Sequence, residues 1–170
     1  MSFGEPDSPP ESPCGLSHVD SGGSARMVDV GAKPATAREA SAEALVTVSR
    51  EALELARSGN APKGSVLETA RLAGIQAAKA CGTLIPLCHP LPLDHVEVMP
   101  TFEETGIRIV SRVRCRASTG AEMEALTAAS VAALTVYDML KAADRAMVIG
   151  PVRLLEKRGG ASGAWRAEGA

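Results

Sequence analysis

Residues 106–141 read GIRIVSRVRCRASTGAEMEALTAASVAALTVYDMLK, and this stretch decides the fold. Its first part, residues 106–116, alternates strongly, which is typical of a β-strand with one buried face. Its second part, residues 120–141, is alanine-rich and carries charge only near its two ends, which predicts one long helix with a largely buried middle. A strand followed by a buried helix indicates a domain in which helices pack on a sheet.

The strand at residues 106–116 has two different faces, because successive side chains point to opposite sides of a sheet. One face carries Ile107, Ile109, Ser111, Val113 and Cys115, and the other carries Arg108, Val110, Arg112, Arg114 and Arg116. The first face is expected in the core. The arginine face either stays solvated or lies at an interface with another subunit.

The other elements are predicted by hydrophobic patterns and by Gly and Pro punctuation. They are a strand at 44–49, helices at 51–57 and 66–79, a proline-stiffened loop at 86–92, and strands at 94–99 and 148–155. Residues 103–106 form the turn between two strands, and Gly82 is expected to end the second helix. The predicted order is therefore β-α-α-β-β-α-β.

This order predicts an α+β fold, a ferredoxin-like βαββαβ core with an extra N-terminal helix. The antiparallel sheet is expected to be covered by helices on one face and to leave the other face open. The 170 residues suit a single catalytic domain at residues 27–165. Residues 1–26, rich in Ser, Gly and Pro, are expected to form a disordered tail, and residues 166–170 a flexible C-terminus.

Composition argues against several classes of function. The net charge is −2 without a block of like charges, so nucleic-acid binding is not expected, whereas an anionic small molecule remains a suitable ligand. No apolar run approaches about 18 residues, so we expect no membrane span. Four cysteines without paired close spacings, and no signal peptide, predict a reduced, cytoplasmic protein. Only 2% of the residues are aromatic, and a core of small side chains favours oligomerisation.

Two charged side chains near the end of the long helix form the first candidate site. Asp138 and Lys141 are three residues apart and project from the same side of the helix. Spacing alone favours an ordinary intrahelical ion pair. The apolar setting of the helix points instead to shifted pKa values, which would suit acid–base chemistry.

The start of the long helix and the proline loop supply further candidates. Glu122 and Glu124 are two apart and do not share a helix face. One of them is expected to serve the helix N-terminus while the other points into a site, or both point into the site if the helix begins a residue or two later. His89 is either a structural histidine or a positioned functional group. A zinc site built from Cys81, Cys88 and His89 is an alternative whose spacing matches no common zinc pattern.

Cations that could hold an anionic ligand are spread along the chain. Lys63 lies in a Pro-Lys-Gly turn directly before a predicted helix, whose N-terminus would attract phosphate. This is not a Walker motif, and a solvent-exposed lysine is the common case. Arg38 and Lys157 are further cation candidates.

Five segments of the sequence together resemble one known family. They are residues 27–40 (MVDVGAKPATAREA), 69–79 (TARLAGIQAAK), 84–91 (LIPLCHPL), 120–141 and 159–163 (GGASG). In this order they closely resemble the cyclic pyranopterin monophosphate synthase family, the molybdenum cofactor biosynthesis protein C family, over about residues 17–165. Several long motifs in one order make the resemblance highly specific.

The resemblance implies a ferredoxin-like subunit in a homohexamer, a trimer of dimers, with active sites at subunit interfaces. It implies a lyase that converts 3′,8-cyclo-7,8-dihydro-GTP into cyclic pyranopterin monophosphate and releases pyrophosphate, in molybdenum cofactor biosynthesis. It implies no redox cofactor and no obligatory metal ion. Mg²⁺ bound to the substrate phosphates is compatible with this reaction.

The family's functional residues match positions in this chain. The matching catalytic positions are Asp138, Lys141, Lys63 and His89. The matching substrate-binding positions are Leu87, Cys88, His89, Glu122, Met123, Glu124, Arg38 and Lys157. In this reading the acid–base groups move protons during ring rearrangement, and the cations hold the triphosphate.

This chain departs from the family pattern at two places. Ser65 stands where the family often has Asp, and it can still cap the following helix. Ala80 and Cys81 stand where the family often has Arg-Thr, which removes a phosphate or interface contact. Two other classes of function stay open: a non-catalytic ferredoxin-like nucleotide- or pterin-binding module, and a zinc-dependent hydrolase that uses His89 and the cysteines.

Overall fold

The computed structural model describes residues 18–19, 22–160 and 163–169. Its elements are β1 (Thr36–Thr47), α1 (Arg50–Ser58), α2 (Val66–Leu84), β2 (Leu93–Phe102), β3 (Gly106–Ala117), α3 (Glu122–Leu140), β4 (Val148–Arg158) and β5 (Trp165–Arg166). The sheet order is β2-β3-β1-β4-β5, and all neighbouring strands are antiparallel. The α+β, ferredoxin-like prediction is confirmed. The additional helix is α1, which lies between β1 and α2; no helix precedes β1 among the described residues.

The central strand β1 is longer than the sequence predicts, because it begins at Thr36 and not at residue 44. Its first half lacks the β-branched run that marks a strand, but pairing with β3 and β4 on both sides supplies the order. The strand also ends earlier than predicted, at Thr47. Ser49, predicted to be its last residue, is instead the N-cap of α1, and its side chain accepts a hydrogen bond from the Ala52 amide.

The core lies between the sheet and α3 and is built from small side chains. Ala40, Ala42 and Ala44 of β1 are fully buried. The buried positions of α3 are Glu124, Ala125, Thr127, Ala128, Ala129, Ala132, Ala133, Val136, Met139 and Leu140. The Ser111 hydroxyl donates to the Ala125 carbonyl oxygen at 2.7 Å, so the predicted apolar face of β3 does lie under this helix. Alanine on both surfaces allows the helix to pack close to the sheet.

The sequence predicted that helix α2 ends at Gly82, but the helix continues to Leu84. A Cβ on Gly82 would lie 2.8 Å from the Pro90 Cα, so glycine here allows the proline loop to approach the helix. A Cβ on Gly74 would similarly lie 2.9 Å from the Ala128 carbonyl oxygen, which marks the close contact of α2 with α3. Ser65 caps α2 as expected, accepting from the Glu68 amide.

The sheet face away from the helices carries ion pairs. Glu43 is buried between two arginines: Arg108 Nη2 lies 2.6 Å from its Oε2, and Arg153 Nε lies 2.7 Å from its Oε1. Burial alone would raise the pKa of this carboxyl, but hydrogen bonds from Arg153 and Arg108 outweigh burial and lower it. Part of the arginine face is therefore neutralised within the chain.

Both predicted tails carry structure where the chain is described. Within the predicted N-terminal tail, Val19 pairs with Ala25 in an isolated bridge, and residues 1–17, 20 and 21 lie outside the described residues. At the other end, β4 continues to Arg158 and Trp165 pairs with Lys157. The boundary predicted between residues 165 and 166 therefore falls inside the short strand β5, which pairing with β4 holds in place.

Helix α3 is long and apolar enough, by length and composition alone, to cross a membrane. Glu124 and Asp138 place charges within the helix, so its uncharged run spans only residues 125–137. The core helix of a soluble domain passes the same test, and half of this apolar window is buried inside the fold. Its apolar character is explained by packing against the sheet.

Candidate functional site

A carboxylate and two lysines meet at the C-terminal end of α3. Lys63, from the turn before α2, donates to Asp138 Oδ2 at 2.5 Å and to the Asp138 carbonyl oxygen at 3.1 Å. Lys141 Nζ lies 2.7 Å from Asp138 Oδ1. We call Lys63, Asp138 and Lys141 the lysine cluster. It is more than an intrahelical pair, because a third charge joins it from a distant part of the chain.

The electrostatics of the lysine cluster differ from the sequence-based interpretation. All three side chains are about half exposed and not poorly solvated. Hydrogen bonds from Lys141 and then Lys63 lower the pKa of Asp138 to about 2. The hydrogen bond between Lys141 and Asp138 in turn raises the pKa of Lys141. Both groups therefore stay charged at neutral pH in this arrangement, which suits anion binding better than proton transfer.

A pocket of about 530 Å³ lies near the other end of α3. It is lined by His18, Val28, Val30, Lys33, Ile85, Leu87, Cys88, His89, Thr119, Gly120 and Met123. Four predicted site residues therefore share one cavity, contributed by the proline loop and by the first turn of α3. Its volume is typical of a site for a small organic ligand.

The loop at 86–92 places His89 at the pocket wall, where the ring Nε2 lies 2.9 Å from the Val28 carbonyl oxygen. This bond ties the loop to the segment before β1. Sequence reasoning missed His18, Val28, Val30 and Lys33 as pocket residues. The last three fall within the quoted segment 27–40, but nothing in the sequence alone indicated that it folds across the proline loop.

Beside this pocket, two thiols and a carboxyl group lie close together. The Cys81 and Cys88 Sγ atoms are 3.9 Å apart, and Cys88 Sγ lies 3.5 Å from Glu124 Oε1. Burial raises the pKa of Glu124, and burial together with the Glu124 charge raises the pKa of Cys88 to about 12. We call Cys81, Cys88 and Glu124 the thiol–carboxyl cluster. Glu124, not His89, is the third member, unlike in the zinc site considered from sequence.

The remaining predicted cations lie near the start of α3. Lys157 Nζ of β4 is 3.4 Å from Glu122 Oε1, whereas Glu124 is buried, so the two glutamates diverge as expected. Arg38 donates from Nε and Nη2 to the carbonyl oxygens of Ala117 and Ser118, each at 3.3 Å. These contacts hold the guanidinium group at the junction between β3 and α3.

The predicted residues thus lie in two places and not one. One group surrounds the pocket and the thiol–carboxyl cluster at the start of α3, and the other is the lysine cluster at its end. Glu124 and Asp138 are separated along α3 by about 20 Å at 1.5 Å per residue. The proposed acid–base partners His89 and Asp138 are consequently not brought together within a single chain. One helix presents its N-terminal end to the pocket and its C-terminal end to the lysine cluster.

Both groups fall within the region that defines a known family: the MoaC family model matches residues 27–160. The chain belongs to the MoaC family. The matched region begins just before the segment that bonds to His89 and ends after β4. It therefore includes the thiol–carboxyl cluster, the lysine cluster and every pocket residue except His18.

Individual members of the family are also similar over nearly the whole chain, and three of them are each named cyclic pyranopterin monophosphate synthase. The protein from Novosphingobium aromaticivorans is 57% identical over 152 residues, covering 89% of this chain and 97% of that protein. The protein from Thermomicrobium roseum is 56% identical over 155 residues, covering 90% and 93%. The protein from Methylobacterium sp. (strain 4-46) is 58% identical over 155 residues, covering 90% and 97%.

Proposed function

We propose that this chain is a lyase that converts 3′,8-cyclo-7,8-dihydroguanosine 5′-triphosphate into cyclic pyranopterin monophosphate, with release of pyrophosphate, in molybdenum cofactor biosynthesis. The observation that carries the proposal is the identity of 56–58%, over about nine-tenths of the chain, with relatives named as this synthase. The two groups of residues at the ends of α3 have the chemistry that this reaction needs.

The lysine cluster would bind the triphosphate. Lys63 and Lys141 share one carboxylate, and a polyphosphate offers them several anionic oxygens in its place. The raised pKa of Lys141 favours its charged form. Two ammonium groups would also neutralise charge on the departing pyrophosphate. In this account Asp138 positions the lysines, and its lowered pKa makes it a poor proton donor in the free protein.

The pocket would hold the ring system. Leu87 and Met123 supply apolar walls, and the His89 imidazole lies in the same wall. Glu124 lies next to Cys88 with one carboxyl oxygen unpaired, which would suit the amino and ring nitrogens of a guanine-derived ligand. His89 is therefore our first choice for proton transfer during ring rearrangement.

A complete site would need two chains. One substrate molecule does not extend over the roughly 20 Å between the two groups on α3, so the pocket of one chain would meet the lysine cluster of another. Leu72 and Leu134 are each more than half exposed in the single chain, as expected if association covers them. We propose a homohexamer built as a trimer of dimers.

No redox cofactor or obligatory metal ion belongs to this proposal, and Mg²⁺ would bind the substrate phosphates. We place the enzyme in the cytoplasm, because Cys81, Cys88 and Cys115 are free thiols, which a reducing compartment maintains. Cys14 lies outside the described residues.

The first test is turnover of enzymatically prepared substrate, followed by pyrophosphate release and by fluorescence of the oxidised pterin product. Lys141→Ala should abolish both signals without unfolding the protein, because the side chain is half exposed and forms its ion pair with the exposed carboxylate of Asp138. Arg50→Ala, which removes an exposed cation from the Arg50–Glu54 pair on α1, is the matched control and should keep full activity.

The competing functions predict different results. A binding module would bind the substrate without releasing pyrophosphate, and Lys141→Ala with Asp138→Asn would leave ligand handling intact. A zinc hydrolase would lose activity on treatment with a chelator, whereas the lyase would keep it. Retained turnover in Lys141→Ala, or a large fall in its melting temperature, would contradict the proposed role.

A mixing experiment tests the shared site. Lys141→Ala and His89→Ala should each be inactive, but random exchange of subunits should restore roughly a quarter of the sites, in which both groups are intact. No restored activity after exchange, confirmed by mass measurement of the mixed oligomers, would place the whole site within one chain.

A further inference from the structure

One end of the arginine face of β3 has no role in the proposed reaction. Near the Gly106 end of the strand, Arg108 and Arg112 each lie within ion-pair distance of a glutamate on β1. Near the other end, Arg114 and Arg116 are exposed. In the part of the chain that the structure describes, neither of these two arginines has an ion pair or a side-chain hydrogen bond.

The strand register explains why these two charges stay unpaired. Glu39 of β1 lies directly opposite Arg114, but its carboxylate is 3.5 Å from Arg112. The residue opposite Arg116 is Ala37, which carries no charge. Residues two apart on one face of a strand are about 7 Å from each other, so the two guanidinium groups repel. This end of the sheet therefore holds positive charge that the chain itself does not neutralise.

The two arginines line a cavity of about 550 Å³ on the sheet face away from the helices. Arg158 of β4 lines the same cavity from the far side of β1, about 10 Å across the sheet from β3. Between these strands the lining is small, because it consists of Ala37 and Gly159. A Cβ on Gly159 would collide with the Ala37 carbonyl oxygen, so glycine keeps this part of the cavity open. The result is a depression with arginine side chains on both sides.

This cavity is separate from the pocket beside His89, because the two share no lining residue. Four arginines line it against two carboxylates, those of Glu39 and Asp94, and Glu39 is also shared with an arginine outside the cavity. The fourth arginine, Arg38, bonds to carbonyl oxygens at the junction of β3 and α3. The positive charge that faces the cavity without such contacts comes from the other strands' ends.

We propose that Arg114, Arg116 and Arg158 form a second anion site, which binds a chain of two or three phosphoryl groups. A guanidinium group presents a planar fork of donors that matches two phosphate oxygens at once. A chain of phosphoryl groups can contact arginines from β3 and β4 together, whereas a single phosphate reaches fewer of them. A concave site of this volume suits a small ligand and not a flat protein surface.

The phosphoryl chain has two possible sources, inorganic pyrophosphate and a nucleoside triphosphate. Pyrophosphate is the product that the proposed lyase would release, and GTP has the same phosphoryl chain as the proposed substrate. Both sources share the chemistry that the arginines recognise, so titration with each compound distinguishes them.

The experiment is a calorimetric titration of the assembled full chain with inorganic pyrophosphate, at one fixed salt concentration. The wild type should show two sites per chain, one at the lysine cluster and one at the arginines. The Lys63→Ala/Lys141→Ala double variant removes the first and should keep the second. Arg114→Gln and Arg116→Gln are then added to this double variant. Arg50→Gln is the matched control, because it removes the same charge from an exposed side chain on α1.

We expect Arg114→Gln and Arg116→Gln each to weaken binding by about 10-fold, since each removes charge-assisted hydrogen bonds. Arg50→Gln should leave the affinity unchanged, and inorganic monophosphate should bind at least about 10-fold more weakly than pyrophosphate. Tighter binding of pyrophosphate than of GTP assigns the site to the free anion, and the reverse assigns it to a nucleotide; either result supports the site.

Three results would overturn the proposal. One is that the double lysine variant binds no pyrophosphate, as when another subunit covers this face. The second is that both arginine variants bind as well as their parent, or that Arg50→Gln weakens binding equally. The third is equal affinity for monophosphate. Thermal unfolding of each variant confirms folding, and no readout requires turnover, so failure here is distinguishable from failure of the proposed lyase activity.

Discussion

Replacing Glu124 by Met should make the ligand-free protein more stable, although it removes a residue placed at the site. The unpaired, buried Oε2 costs about 1–3 kcal/mol, and the apolar side chain of similar length removes that cost. Against this gain, the variant loses about 0.3–1 kcal/mol of helix-dipole stabilisation, because it removes a carboxylate from the first turn of α3. These ranges leave a net gain of up to about 2.7 kcal/mol, centred near about 1.4 kcal/mol, or about 3–6 °C in melting temperature at that centre.

The gain should also depend on pH in a defined direction. Burial raises the pKa of Glu124 above its unfolded value, so the folded wild type holds this proton more tightly than the unfolded chain. Wild-type stability is therefore lost as pH rises above the unfolded pKa of about 4.5 and through the folded pKa. The advantage of Glu124→Met should widen over that interval and then level off.

Urea unfolding at a series of pH values and at one protein concentration measures this difference. Glu122→Met is the matched control: it removes a partly exposed carboxylate paired with Lys157, so it should lose about 0–1 kcal/mol. A Glu124→Met protein less stable than the wild type, or an advantage that does not change with pH, would refute the reasoning.

Three further predictions concern packing and charge. Gly82→Ala should lower the free energy of unfolding in urea by about 1–2 kcal/mol, because crowding of the Pro90 backbone outweighs the gain in helix propensity. Gln76→Ala, on the exposed face of α2, is the control. A Gly82→Ala protein as stable as the wild type would contradict the close approach of Pro90 to the helix. Glu43→Gln should cost about 1–3 kcal/mol at neutral pH, because Arg108 and Arg153 lose their shared carboxylate. Since the pKa of Glu43 is lowered, this contribution is present above the unfolded pKa and disappears as pH falls through the folded pKa, so the two unfolding curves should converge in acid. The carboxyl carbon NMR signal of Asp138 should stay flat down to about pH 4 and move near the pKa of about 2; titration near the ordinary value would show that the lysine cluster does not form in solution.

Local patterns were reliable where burial repeats regularly along one element. The alternation at 106–116 correctly predicted β3 and its buried face, and the alanine-rich stretch at 120–141 correctly predicted α3. Local patterns failed where contact with another segment of the chain decides the bounds of an element. β1 begins early because two neighbouring strands pair with it, and α2 runs through Gly82 because that glycine serves contact with Pro90.

Most of the candidate site residues could be selected from motifs, but their grouping could not. The sequence indicated Asp138, Lys141, His89 and the two glutamates. Spacing along the chain gave no reason to expect that Lys63 bonds to Asp138, or that Val28 bonds to His89. Such contacts join residues far apart in the chain, and spacing along a sequence carries no information about them.

The sequence by itself therefore determined the α+β fold, the order of its elements from β1 to β4, the family and the chemical types of the functional residues. The tertiary structure alone decided that α3 holds two groups at opposite ends, and that Glu124 packs with Cys81 and Cys88. The physical reason is that periodicity records only which face of an element is buried. The pKa of a group, its exposure and its partners depend on which other elements pack against that face.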